Sequence, residues 1–61
     1  MPVVNISWLK GRSREQKAVI AEKIEKIMIE EAGCPLGATY ITFNDVEKEN
    51  WAKSGKLMDE S

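Results

Sequence analysis

From Val3 to Leu9 the chain reads Val-Val-Asn-Ile-Ser-Trp-Leu, apolar or β-branched except at Asn5 and Ser7, so that Val4, Ile6 and Trp8 fall on one face at a period of two. That pattern predicts a strand, which Pro2 can open because the first strand position tolerates a missing N–H. Lys10-Gly11-Arg12 breaks the alternation as a loop. Ser13 and Gln16 then stand at capping-box spacing, with Glu15 in the first turn, where the helix dipole favours a negative charge. Beyond them the apolar spacing changes to three and four: Ile20, Ile24, Ile27 and Met28, flanked by Ala21, predict a helix over 14–32 whose stripe covers the sheet. Val19 and Ile29 point away from that stripe and are candidate subunit contacts. Gly33 suits the left-handed position after a helix, and Pro35 cannot continue one. From Thr39 to Val46 alternation returns, with Thr39, Ile41 and Phe43 on one side and Tyr40, Thr42 and Asn44 on the other. A strand, a long helix and a second strand predict a right-handed unit with parallel strands. Residues 47–50 read as a solvated connection, 51–57 as a short hairpin or arm turned at Ser54-Gly55, and 58–61 as a frayed end. The fold class is α+β, a single βαβ unit with parallel strands and a short C-terminal hairpin, in one domain over 1–61.

Length changes this picture. A chain of 61 residues buries only about 60% of the surface its unfolded form exposes, and needs a staple or a partner. Cys34 is the one cysteine and there is no histidine, so neither an intramolecular disulfide nor a zinc constellation is expected. Oligomerisation remains. One helix covers only one face of two strands, so Trp8 or Phe43, whichever lies on the other face, should meet another chain or remain exposed. No apolar run approaches the ~18 residues of a membrane span, and no signal peptide is recognisable, which makes a cytoplasmic protein without membrane association the expectation. Nine Lys and Arg against ten Asp and Glu leave a net charge of −1, with no field favouring nucleic acid.

Two residues carry candidate chemistry. Removal of Met1 would turn the Pro2 nitrogen into a secondary amine able to take a proton. An α-amino group titrates near pH ~8, so a general base here needs burial or neighbouring cations to lower it. The plainer alternative is that Pro2 merely starts a strand. Arg12, just before a helix N-terminus, offers a planar fork that fits a carboxylate; the alternatives are a solvated arginine or one paired with Glu15 or Asp45. Cys34 has no neighbour that would activate its thiol.

Pro2, the run Leu9-Lys-Gly-Arg-Ser-Arg-Glu-Gln-Lys17, Pro35-Leu36 and the stretch Trp51 to Leu57 together resemble the 4-oxalocrotonate tautomerase family of the tautomerase superfamily, over essentially the whole chain. The resemblance implies a tautomerase-like fold in which two chains form a four-stranded dimer. Three dimers then close into a homohexamer, which is favoured here over the dimer at which some relatives stop. It implies a cofactor-independent enol/keto tautomerase acting on small unsaturated or aryl 2-oxo acids, with no metal and a small carboxylate as substrate. By the same resemblance Pro2 is the general base, Arg12 binds the substrate carboxylate, the Leu9 N–H binds a substrate oxygen, and Trp51 is the apolar wall beside the proline. The sequence departs from the family at Tyr40, which stands where the best-studied members carry a second arginine that polarises the carbonyl. A hydroxyl brings a hydrogen bond but no charge; Lys10, Lys53 or Lys56 of another subunit is a candidate replacement. A dehalogenase of the superfamily would carry a glutamate where this chain has Lys53. A non-catalytic oligomeric scaffold is the alternative from another class.

Overall fold

The computed structural model describes residues 1–60. Strand β1 (Val3–Leu9) leads to helix α1 (Arg14–Ala32) and strand β2 (Tyr40–Val46), followed by a 3-10 turn (Lys48–Asn50), strands β3 (Ala52–Lys53) and β4 (Lys56–Leu57), and a second 3-10 turn (Met58–Glu60). β1 and β2 are parallel, in a register running from Val3 opposite Tyr40 to Leu9 opposite Val46. β3 and β4 form the antiparallel C-terminal hairpin. Ser54 and Gly55 turn it with φ of 54° and 78°, the positive values a tight two-residue hairpin turn requires.

The helix has the ends its sequence predicts. Ser13 Oγ accepts from Gln16 N at 3.1 Å while Gln16 Oε1 accepts from Ser13 N at 2.9 Å, so two of the orphan N–H groups of the first turn are satisfied reciprocally. Gly33 closes the helix in the left-handed region at φ 72°, and Cys34 N donates back to Met28 O at 3.1 Å. Gly37 N donates to Glu25 Oε2 at 2.8 Å, which ties the loop after the helix to its side.

Side-chain placement corrects three expectations. Trp8 and Phe43 lie on the same face, half-buried and stacked with ring centroids 5.5 Å apart, because the parallel register puts Ile6 beside Phe43 and gives Val4, Ile6, Trp8, Ile41 and Phe43 one orientation. The opposite face carries Val3, Asn5, Ser7, Tyr40, Thr42 and Asn44, all exposed, with the Thr42 hydroxyl donating to Asn5 Oδ1. On the helix, Ile29 is half-buried while Ile27 is 54% and Val19 52% exposed. The helix is thus rolled relative to its apolar stripe, and the half-buried arc includes Lys17 and Glu25. Both make polar contacts across to the second half of the chain. The chain end is also ordered rather than frayed through Glu60: Met58 N donates to Trp51 O at 2.8 Å and Leu57 N to Glu60 Oε2 at 2.9 Å. Ser61, the last residue of that stretch, lies outside the described residues.

The ladder between β1 and β2 begins with Tyr40 N donating to Pro2 O and ends with Lys10 N donating to Val46 O. In a parallel ladder alternate residues of a strand bond the same neighbour. The even-numbered residues of β1 therefore face β2, and the amides of Val3, Asn5, Ser7 and Leu9 face an open edge. Among the described residues no side chain is fully buried, and no helix is long and apolar enough to cross a membrane.

Candidate active site

Pro2 is half-buried at the head of β1, with Met1 before it 83% exposed. Its carbonyl accepts from Tyr40 N at 3.0 Å, so the two residues are neighbours along the ladder. Their side chains are not, because Tyr40 belongs to the uncovered face, where it is 55% exposed, and Pro2 has the parity of the helix-covered one. Leu9 and Arg12 lie at the other end of β1. The Leu9 carbonyl accepts from Arg12 Nη1 at 3.3 Å, while its N–H belongs to the open edge. Seven strand residues at ~3.3 Å each separate Pro2 from this end by more than about 20 Å, too far for one small substrate to touch both within one chain. Trp51 is half-buried just ahead of the hairpin, its N donating to Lys48 O at 3.3 Å.

Arg12 pairs with neither Glu15 nor Asp45. Its guanidinium carbon sits 4.6 Å from the centroid of the Trp8 ring, within cation–π range. Asp45 is engaged elsewhere: Oδ1 accepts from the Trp8 indole N–H at 2.7 Å, and Oδ2 accepts from Lys17 Nζ. Those two donors, Lys17 first, hold the Asp45 carboxyl below the usual carboxylate range against the opposing effect of desolvation, with further help from the charges of Lys17 and Arg12. The other ion pair among the described residues joins Lys10 to Glu47 at 3.1 Å on the surface. Lys10 is thereby engaged, whereas among the described residues no such contact involves Lys53 or Lys56. Among the described residues no group of His, Cys, Asp or Glu is arranged to hold a metal.

Nothing in their residue types or local spacing brings Trp8, Lys17 and Asp45 together. The signal that unites them is the parallel register, which sets Trp8 opposite Asp45, with Lys17 one turn into the helix above.

A family model described as tautomerase enzyme matches residues 2–60. A 2-hydroxymuconate tautomerase of Comamonas testosteroni is 40% identical over 55 residues, covering 90% of this chain and 87% of its own. Among solved structures, a 4-oxalocrotonate tautomerase isozyme of Methylibium petroleiphilum superposes with a TM-score of 0.85 at 34% identity, covering 95% of this chain and 94% of its own. A heterohexameric 4-oxalocrotonate tautomerase of Chloroflexus aurantiacus does so with a TM-score of 0.88 at 30% identity, covering 98% and 97%. The parallel βαβ unit, the hairpin and a match across the whole site region define a class, and the chain belongs to the tautomerase family, within its 4-oxalocrotonate tautomerase group. It is accordingly an isomerase with tautomerase activity.

Proposed function

We propose that the protein is a cofactor-independent enol–keto tautomerase of small unsaturated or aryl 2-oxo acids, with the Pro2 amine, freed by removal of Met1, as general base. The observation that carries this reading is that Pro2 and Arg12 stand at opposite ends of one strand whose outer edge is open. Antiparallel pairing of two β1 strands across that edge brings Pro2 of each chain to the Leu9–Arg12 end of the other. Two sites per dimer result. Tyr40 belongs to the opposite face, so a neighbouring subunit supplies it to each site, which favours a hexamer built as a trimer of dimers.

In this scheme Arg12 grips the substrate carboxylate through its fork of donors, and the Leu9 N–H binds a substrate oxygen. Pro2 nitrogen takes the enol O–H proton; the electron pair of that bond forms the ketone, and the ammonium returns the proton to the carbon at the far end of the double bond. The Tyr40 hydroxyl donates to the enolate oxygen, and Trp51 excludes water, which keeps the amine unprotonated and strengthens the remaining electrostatics. A single strong cation at the carboxylate suits monoacid enols.

The test uses the protein with and without Met1, each confirmed by mass spectrometry, and follows the ultraviolet absorbance of phenylenolpyruvate during ketonisation. The clipped form should be active, with the ascending limb of kcat/KM lying below the ~8 of an ordinary α-amino group. The unclipped form should be inactive, since an amide nitrogen has no basic lone pair. Equal activity in both would remove Pro2 from the mechanism, and inactivity of both would favour a scaffold.

A further inference from the structure

Arg12 is exposed, carries no ion pair among the described residues, and lies near a carboxylate to which it is not bonded. An arginine so placed would ordinarily close on Asp45, since guanidinium and carboxylate make a bidentate pair. Here each oxygen of Asp45 already accepts one donor, and the Lys17 ammonium balances the carboxylate charge. The Trp8 indole N–H occupies Oδ1 at 2.7 Å and Lys17 Nζ occupies Oδ2, with the Lys17 and Asp45 side chains only 25% and 31% exposed. The same two contacts fix the indole, which Phe43 supports from its stacked ring, and the guanidinium rests over that indole at 4.6 Å. One further contact, to the Leu9 carbonyl at 3.3 Å, sets the direction of the fork and uses one of its five N–H donors.

We propose that Lys17, Asp45 and Trp8 are positioning residues for Arg12: Lys17 occupies the Asp45 carboxylate, Asp45 locks the Trp8 indole, and the indole presents the guanidinium unpaired to the carboxylate of the substrate. The proposal rests on the assignment of Arg12 as carboxylate-binding residue. Lys17 has the decisive role, because it decides whether Asp45 anchors the platform or competes with substrate for Arg12. None of the three needs to touch the substrate.

The arrangement makes a sign-reversing test possible. Replacing Lys17 with Met keeps most of the side chain's length and removes its charge, releasing Asp45 to pair with Arg12. KM for phenylenolpyruvate should rise by about tenfold with kcat within about twofold, the signature of lost ground-state carboxylate binding. Adding Asp45→Asn to Lys17→Met removes the competitor and should restore KM to within about threefold of wild type, although it deletes a second member of the same ion pair. A merely structural ion pair would show no such rescue. The ethyl ester of the same enol, lacking the carboxylate, should show no change of KM in either variant. Sedimentation and circular dichroism establish that each variant is folded and assembled.

Calorimetric titration with phenylacetate, an unreactive carboxylate, runs in parallel and keeps this proposal separate from the tautomerase assignment. If wild type binds phenylacetate, Lys17→Met weakens it and the double variant recovers it, the positioning network stands whether or not the protein ketonises phenylenolpyruvate. An unchanged affinity in Lys17→Met, a double variant no better than the single one, or no binding by wild type would overturn it.

Discussion

At the scale of the residue, the proposed site makes Tyr40 the position expected to set substrate preference. In that proposal its hydroxyl supplies the enolate with a neutral hydrogen bond where a guanidinium would supply a charged one, and an electrophile of that kind is worth about 2.7–4 kcal/mol, or ~10²–10³ in rate. Tyr40→Arg should therefore raise kcat/KM for the diacid 2-hydroxymuconate selectively over phenylenolpyruvate; a wild-type enzyme already strongly selective for the diacid would mean that another cation, such as Lys53 or Lys56, fills the place. Asp45 makes a second prediction, on stability. Its carboxyl is held below the usual range by Lys17 and Trp8, so the unfolded chain binds more protons in that window. The stabilisation is complete above the ordinary carboxylate value and is lost as pH falls through the lowered one. Asp45→Asn should accordingly be less resistant to urea than wild type at pH 7, and the gap should narrow below about pH 4; an equal gap at both would mean that charge is not the cause. As candidates, Pro2, Leu9, Arg12 and Trp51 were legible at this scale because they sit in recognisable local runs, and Tyr40 by counting on from Pro35. The seat of Arg12 was not. Whether Arg12 meets Glu15, Asp45 or water depends on what lies 33 residues further along, and only the strand register decides that.

At the scale of the element, helix ends were legible because they are local chemistry: a serine, a glutamine three residues on and a glycine after the last turn determine where the helix starts and stops. The capping box predicts that Ser13→Ala costs about 1 kcal/mol, within roughly 0.5–2, and that Ser13→Asn recovers most of it. Urea unfolding at one fixed chain concentration measures both, and a loss under about 0.3 kcal/mol in the alanine variant would show that the cap contributes little. Which side of the helix faces inward was less legible. Counting apolar residues centres the face near Ile24 and admits Ile27; the observed arc runs instead from Ile20 through Lys17, Met28 and Glu25 to Ile29. A charged residue counts as outward in any hydrophobic periodicity, so Lys17 and Glu25, turned inward by Asp45 and the Gly37 amide, are the kind of position that such a pattern misplaces. The strand faces suffered similarly: alternation divides a strand into two sides, but only the register with its neighbour says which side of each strand is shared.

At the scale of the whole molecule, the chain has the secondary structure of a domain without the interior of one. Its radius of gyration is 14.7 Å and its extents are 43 × 23 × 14 Å, against the roughly 10 Å expected of a compact domain of this length. Among the described residues nothing is fully buried, while Val19 and Ile27 on the helix, Val3 and Tyr40 on the sheet and Leu57 on the hairpin remain 40–55% exposed, and Leu36 84%. These patches lie on the helix, the sheet, the hairpin and the loop after the helix, and the β1 edge adds unpaired amides, so a single partner contact would leave most of them in water. Folding and assembly are then expected to be one event, with the apolar burial that offsets chain entropy becoming available only between subunits. The expected outcome is that sedimentation equilibrium at micromolar concentration finds no folded 6.9 kDa species, and that on dilution the helical circular dichroism disappears together with the oligomer. Thermal midpoints should rise with chain concentration for the same reason. A folded monomer as the main component would mean that the strand, helix and hairpin support one another without the open edge being filled. In that case the composite site, which needs Pro2 and Arg12 from different chains, could not be the one that works.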